Sequence, residues 1–128
     1  MPLEIIVLKD VGPRNIGAIT VKLTGSLDTA TAPELERQLA PVLASEATEI
    51  VFDLAHLKFI SSAGLRVFSI VRKQLKARSG QASFVHLQPQ IQEVFDIVEA
   101  LPGIAIFKSM AELDQYLAAR QRSYTDPD

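Results

Sequence analysis

The stretch Glu49-Ile50-Val51-Phe52-Asp53-Leu54 constrains this chain more than any other, because it is apolar almost throughout and does not alternate. A strand with water on one face alternates apolar with polar residues. A run that does not alternate, apart from Asp53, predicts a strand covered on both sides. Downstream lies Phe59-Ile60-Ser61-Ser62-Ala63-Gly64-Leu65-Arg66-Val67-Phe68, in which two serines and two small residues open a helix after a short loop. The chain therefore predicts a central strand, a turn at its carboxyl end and a helix whose first turn carries serine.

The rest of the chain fits around that unit. Leu3 to Leu8 is an apolar run of strand length, and Lys9 to Asn15 is rich in turn formers. Ile19, Val21 and Leu23 then alternate with Thr20, Lys22 and Thr24, the pattern of a half-buried strand, so the first two strands form a hairpin. Gly25-Ser26-Leu27-Asp28 breaks the pattern. Thr31-Ala32-Pro33-Glu34 has the spacing of a capping box, with proline tolerated in the first turn because its missing N–H would have no partner there. Leu35, Leu39, Val42 and Leu43 supply the helical face. Pro41 within it predicts a kink or an early end near Ala40, and nothing in the sequence gives Pro41 a functional role.

After the serines, Leu65, Phe68, Val71 and Leu75 recur at helical steps, and Arg66, Arg72, Lys73, Lys76 and Arg78 occupy the other side until Ser79-Gly80. Ala82 to Leu87 predicts a strand. Pro89 opens a helix with Ile91, Val94, Phe95 and Val98 facing inward, ending near Pro102-Gly103. Ile104 to Phe107 predicts the last strand. Ser109-Met110-Ala111-Glu112 repeats the capping-box spacing before Leu113, Tyr116 and Leu117. The order β-β-α-β-α-β-α-β-α predicts an α/β fold in one domain over residues 1–120, with a mixed, mostly parallel sheet, an N-terminal β-hairpin and about four helices. Residues 121–128 are polar and predict a disordered tail. There is no internal repeat and no linker.

Composition removes several function classes. At 128 residues the chain suits one domain with a real core, and a net charge of −2 gives no overall basic field to draw it onto nucleic acid. The absence of cysteine excludes disulfides, thiolate chemistry and cysteine-based zinc sites. His56 and His86 stand apart without an acidic partner pattern, so neither a metal site nor a cofactor site is signalled. No apolar run approaches the roughly 20 residues of a membrane span, and the N-terminus lacks a basic region followed by an apolar one. The expectation is a cytoplasmic protein.

A serine at a helix start has two readings. It is an ordinary N-cap, with Gly64 letting the turn pass close to the sheet. Alternatively its hydroxyl is offered to solvent beside unpaired helix N–H groups, which is good ground for an anion, a phosphate on the serine included. The turn lies at the carboxyl end of a central strand, where open α/β sheets place their sites, and its small residues leave it uncovered.

Gly25-Ser26-Leu27-Asp28, Phe52-Asp53-Leu54 and Ile60-Ser61-Ser62-Ala63-Gly64-Leu65-Arg66, in that order, resemble the motifs of the STAS domain family, of the anti-sigma-factor antagonist type. The resemblance runs from about residue 5 to about residue 118. It implies a regulatory protein-binding module whose phosphoacceptor is Ser62, with Ser61 as the substitute. Family members often carry Asp before the acceptor; here that position is Ser61, which supplies no charge, and the following position is Ala63. The resemblance further implies that Asp28, Ser61, Ala63, Gly64 and Arg66 form the partner surface and that Asp53 supports the loop. The partners it implies are an anti-sigma factor or a serine-protein kinase of the histidine-kinase-like ATPase type, and a serine phosphatase that resets the switch.

Alternatives remain at this level. Asp28 also reads as a turn residue bonding its own backbone. The basic face of the serine helix (Arg66, Lys73, Lys76 and neighbours) reads as a surface for an acidic partner or equally as a solvated one, and it lacks the aromatic interleaving of a single-strand nucleic-acid binder. The same fold without the switch would be a constitutive scaffold or small-molecule-sensing subunit of, for example, a lipid-transport or stress-signalling assembly. Catalysis by Ser62 finds no base, no Gly-x-Ser-x-Gly elbow and no phosphate-binding loop, so the chain is expected not to be an enzyme.

Overall fold

The computed structural model describes residues 2–9, 18–100 and 110–125. Strand β1 (Leu3–Lys9) pairs antiparallel with β2 (Ala18–Leu27), matching Ile5 to Leu23 and Val7 to Val21. Helix α1 (Ala32–Ala44) then leads to β3 (Glu49–Ile60), and α2 (Ser62–Lys76) leads to β4 (Gln81–Val85). β3 lies parallel to both β2 and β4, so the sheet order is β1-β2-β3-β4 with β2 and β3 central. Helices α3 (Pro89–Ala100) and α4 (Met110–Thr125) complete the described chain. This is the expected α/β fold with a mixed sheet, a hairpin at the start and four helices. The strand expected at Ile104 to Phe107, the turn formers from Asp10 to Asn15 and the capping residue Ser109 lie outside the described residues.

Alternation decides which side chains reach the core. Val21, Leu23, Ile50, Phe52 and Leu54 are buried and meet Leu35 and Leu39 of α1 and Val67, Phe68, Val71 and Leu75 of α2 in one cluster. Phe52 also contacts two aromatic rings, with centroids 4.9 Å from Phe68 and 5.2 Å from Phe84. The intervening residues Val51, Asp53 and Ala55 are only half-buried. Cover on both faces of β3 is therefore unequal, and Asp53 was the one residue of the run that signalled it.

Two local expectations change. α1 continues past Pro41 to Ala44, because Pro41 is exposed in the last turn and the bond it forfeits would have gone to the carbonyl of exposed Arg37. α4 is helical to Thr125, past the point where a disordered tail was expected, and its Gln121 is only 2% exposed. On the same helix Tyr116 is 41% exposed, while Leu113 and Leu117 are buried.

β3 is also much longer than its apolar run. It proceeds through His56 and Lys58 to Ile60, kept beside β2 by two irregularities in register. β4 pairs with it only as far as Asp53. Beyond that point side-chain amides take over its backbone groups: Gln88 donates to the Ala55 carbonyl at 2.7 Å and Gln90 to that of Lys58 at 3.3 Å. Gln121 closes the end.

Candidate functional site: the serine turn and its acid

Because β3 runs to Ile60, no loop precedes the serines; Ser61 is the single hinge between strand and helix. Its backbone is extended, and its N–H donates to the Leu27 carbonyl at 2.9 Å, carrying the β2–β3 pairing one residue further. At Ile60 the Gln121 side chain accepts from the N–H at 2.8 Å and donates to the carbonyl at 2.7 Å, imitating the strand that β4 no longer provides. Ser62 then opens α2. Its N–H donates to Asp114 Oδ1 at 2.8 Å and its hydroxyl donates to Asp114 Oδ2 at 2.9 Å. One carboxylate on α4 thus caps α2 from 52 positions away in the chain.

The serines are not offered to solvent. Ser61 is 5% exposed and Ser62 7%, because α4 lies over the turn that the sequence presented as uncovered. The Ser61 hydroxyl is buried and has no hydrogen-bond partner among the described residues, so Ser61 occupies the N-cap position without capping. Gly64 is a packing residue. A Cβ there would fall 2.6 Å from Leu27 Cγ and 2.9 Å from Ile60 Cγ1, so only glycine lets α2 approach the ends of β2 and β3 this closely. Ala63 is half-buried and Arg66 exposed.

The remaining expected site residues fall into two groups. Asp28 directly follows Leu27, whose carbonyl holds Ser61, and is therefore beside the serine turn. Its Oδ1 accepts from the N–H groups of Ala30 and Thr31 at 3.0 and 3.1 Å, and its carbonyl accepts from Ala32 at 2.8 Å. The Thr31 hydroxyl turns back to accept from Asp28 N–H and donate to the Ser26 carbonyl, and Glu34 bonds Arg37 and Gln38, so the capping box does not form. Asp53 does not support the serine turn. It lies mid-strand, roughly 26 Å from Ser61 at 3.3 Å per residue, and accepts from Ala55 N–H and pairs with His86 Nδ1, each at 3.1 Å. Burial pushes its carboxyl pKa up, but the Ala55 hydrogen bond, the His86 contact and the Lys22 charge prevail and hold it below the ordinary value.

The sequence reading missed Asp114 and Gln121. Both lie on the face marked by Leu113 and Leu117 at helical spacing, so two polar residues among apolar ones at positions 113, 114, 117 and 121 were the available signal. It also placed Arg78 with the other basic residues on the outer side of the serine helix. Arg78 instead donates to the carbonyls of Leu43, Ser45 and Ala47 at 2.6–3.1 Å and ties the end of α1 to that of α2. Among the described residues there is no cluster of His, Cys, Asp or Glu able to hold a metal and no helix long and apolar enough to cross a membrane.

Residues 11–113 match the STAS domain family. The chain belongs to that family. It is 40% identical over 81 residues to BtrV of Bordetella bronchiseptica, named as an anti-sigma factor antagonist, covering 63% of this chain and 70% of that protein. It is 30% identical over 84 residues to the anti-sigma-B factor antagonist of Bacillus subtilis, covering 66% of this chain and 76% of the other. Its fold superposes on the Bacillus cell fate determinant SpoIIAA in the phosphorylated form with a TM-score of 0.58 at 19% identity, over 74% of this chain and 81% of that one. The sequence relatives are named as anti-sigma factor antagonists, and this chain shares their STAS domain.

Proposed function

We propose that this chain antagonises an anti-sigma factor and that phosphorylation of Ser62 controls the contact. The observation that carries the reading is the position of Ser62. It is the first residue of α2, at the carboxyl end of a central strand, and its hydroxyl is held by an acid from another helix. The names of the relatives support the antagonist role, and the solved phosphorylated form of SpoIIAA supports a phosphoprotein on this fold. Unmodified, the turn presents Asp28, Ala63 and Arg66 as a contact surface, shaped from beneath by Ser61 and Gly64. A partner kinase of the ATPase type joins Ser62 Oγ to the γ-phosphorus of ATP. The bond from that phosphorus to the bridging oxygen breaks, ADP leaves, and the hydroxyl proton passes to a base or to water. A phosphatase returns the serine and inorganic phosphate with one water consumed. The phosphate brings about −1.5 to −2 charges to a nearly neutral contact, enough to disrupt an interface packed on the turn.

A second reading, a constitutive scaffold or small-molecule-sensing module, draws on the burial of both serines. Affinity capture from the native host with wild-type, Ser62→Ala and Ser62→Glu baits separates the two. The switch requires that wild type and Ser62→Ala retain an ATPase-type kinase or anti-sigma factor that Ser62→Glu loses. Recovery of the same partner by all three baits overturns it. The tryptic peptide from Phe59 to Arg66 holds both serines, and its fragmentation distinguishes phosphate on Ser62 from phosphate on Ser61.

A further inference from the structure

We infer that α4 is the moving part of this switch: phosphate on Ser62 evicts Asp114 and releases α4 from the end of β3. The inference rests on Ser62 being the phosphoacceptor. Both oxygens of Asp114 are committed to Ser62, one to its N–H and one to its hydroxyl. Phosphorylation converts that hydroxyl from a donor into an ester oxygen, so the second bond has no proton left. It also sets a second anion against the same donors. The first-turn N–H groups of Ser62, Ala63 and Gly64 have no acceptor within the helix, whereas Leu65 N–H already donates to the Ser61 carbonyl at 3.0 Å. Carboxylate and phosphate compete for those three groups, and the phosphate carries more charge and is covalently fixed beside them. Asp114 belongs to no ion pair among the described residues that would offset the repulsion. The burial of Ser62 leads to the same conclusion from the other side, because a kinase reaches the hydroxyl only when Asp114 has moved away.

Among the described residues α4 is also held by the Gln121 bonds to Ile60, the buried Leu113 and Leu117, and the ion pair of Arg120 with Glu93 on α3. None of them involves Ser62. Among the described residues Asp114 is the α4 side chain that bonds Ser62, so the coupling passes through it and a neutral residue there should break it.

Amide hydrogen exchange on the full chain tests this without any partner. Ser62→Glu and Ser62→Gln have the same bulk and differ in charge. The expected result is that α4 amides exchange about tenfold faster in Ser62→Glu than in Ser62→Gln, the size of effect that a like-charge contact brings to local opening. Adding Asp114→Asn to both should shrink the ratio to within about twofold of unity. Equal exchange in the first pair, or an undiminished ratio in the second, overturns the inference.

Should Ser62→Glu fail to fold, the absence of cysteine offers a second route. Ser62→Cys is alkylated after folding: its thiolate displaces iodide from the reagent and gains either a charged carboxymethyl group from iodoacetate or a neutral carbamidomethyl group from iodoacetamide. The charged adduct should loosen α4 and the neutral one should not; the same exchange from both overturns the inference. Because no partner is present, a flat exchange result beside a working capture assay removes α4 from the switch and leaves the switch standing. Coupled exchange beside a capture assay indifferent to Ser62 overturns the switch itself.

Discussion

The two helices that follow the central strands begin in the same way and are held in different ways. Neither Thr31 nor Ser61, the residues at their N-cap positions, makes a side-chain cap bond. The donors at the start of α1 are taken by Asp28, three positions before the helix's N-cap, so that cap forms as soon as a few residues turn. The donor at the start of α2 is taken by Asp114, which is present only while α4 is docked. A local cap is permanent for as long as the chain is folded. A remote cap is conditional, and it makes the start of α2 sensitive to the state of a different element. The serine at the conditional end is the one proposed to be modified.

The sharpest way to break the comparison is to undock α4 without touching either cap. Gln121→Leu leaves the N–H and C=O of buried Ile60 without partners, and each unsatisfied buried group costs about 1–3 kcal/mol. We expect a loss of about 3 kcal/mol in urea unfolding with an unchanged slope. A loss below about 1 kcal/mol would mean that water replaces the amide and that α4 is held elsewhere. Next in size is Asp114→Ala, which strips the acceptor from two donors of a buried serine and should cost about 2 kcal/mol. Its exchange signature should be divided, with α4 and the first turn of α2 losing protection while the amides of α1 keep theirs.

What the sequence made legible follows the same division between local and remote. The strands, the helices and the hairpin rest on periodicity over a few residues, and the glycine and serine pattern placed the turn at the end of β3 correctly. The turn's burial was not legible, because it depends on α4 folding back across half the chain to bring Asp114 and Gln121 onto Ile60 and Ser62. The length of β3 was hidden for a related reason. His56 and Lys58 look like loop residues, and they remain in a strand because β2 and three glutamine side chains satisfy the backbone there. Asp53 was misassigned because being at the end of an apolar run was taken as being at the end of a strand.

Asp28→Ala is the counterpart of the Asp114 change and should be smaller. It removes an acceptor whose donors, Ala30 and Thr31, lie at a more exposed turn, and cap losses of this kind cost typically about 1 kcal/mol. Exchange in α4 should not change. If Asp28→Ala loosens α4 as Asp114→Ala does, the two helix starts are one cooperative unit and the distinction between permanent and conditional caps fails.

The smallest expected effect comes from Asp53, whose carboxylate combines both kinds of bond: a local one from Ala55, two residues on, and a remote one to His86. Native interactions hold its pKa below the ordinary carboxylate value, so the unfolded chain takes up the proton more readily. The stabilisation is full above about pH 4, the unfolded value, and is lost as pH falls through the native one. It amounts to only a few tenths of a kcal/mol, roughly, because His86 is open to solvent. Asp53→Asn should therefore cost slightly at pH 6, and that cost should fade as pH drops through the lowered native pKa. His86→Ala then separates the two bonds. The Ala55 hydrogen bond is the largest single cause lowering the pKa, ahead of the hydrogen bond and the charge of His86 taken one at a time, so part of the acid-linked stability should survive the loss of His86. If it disappears with His86, the remote partner governs even here, and proximity in sequence is not what makes a carboxylate's contact permanent in this fold.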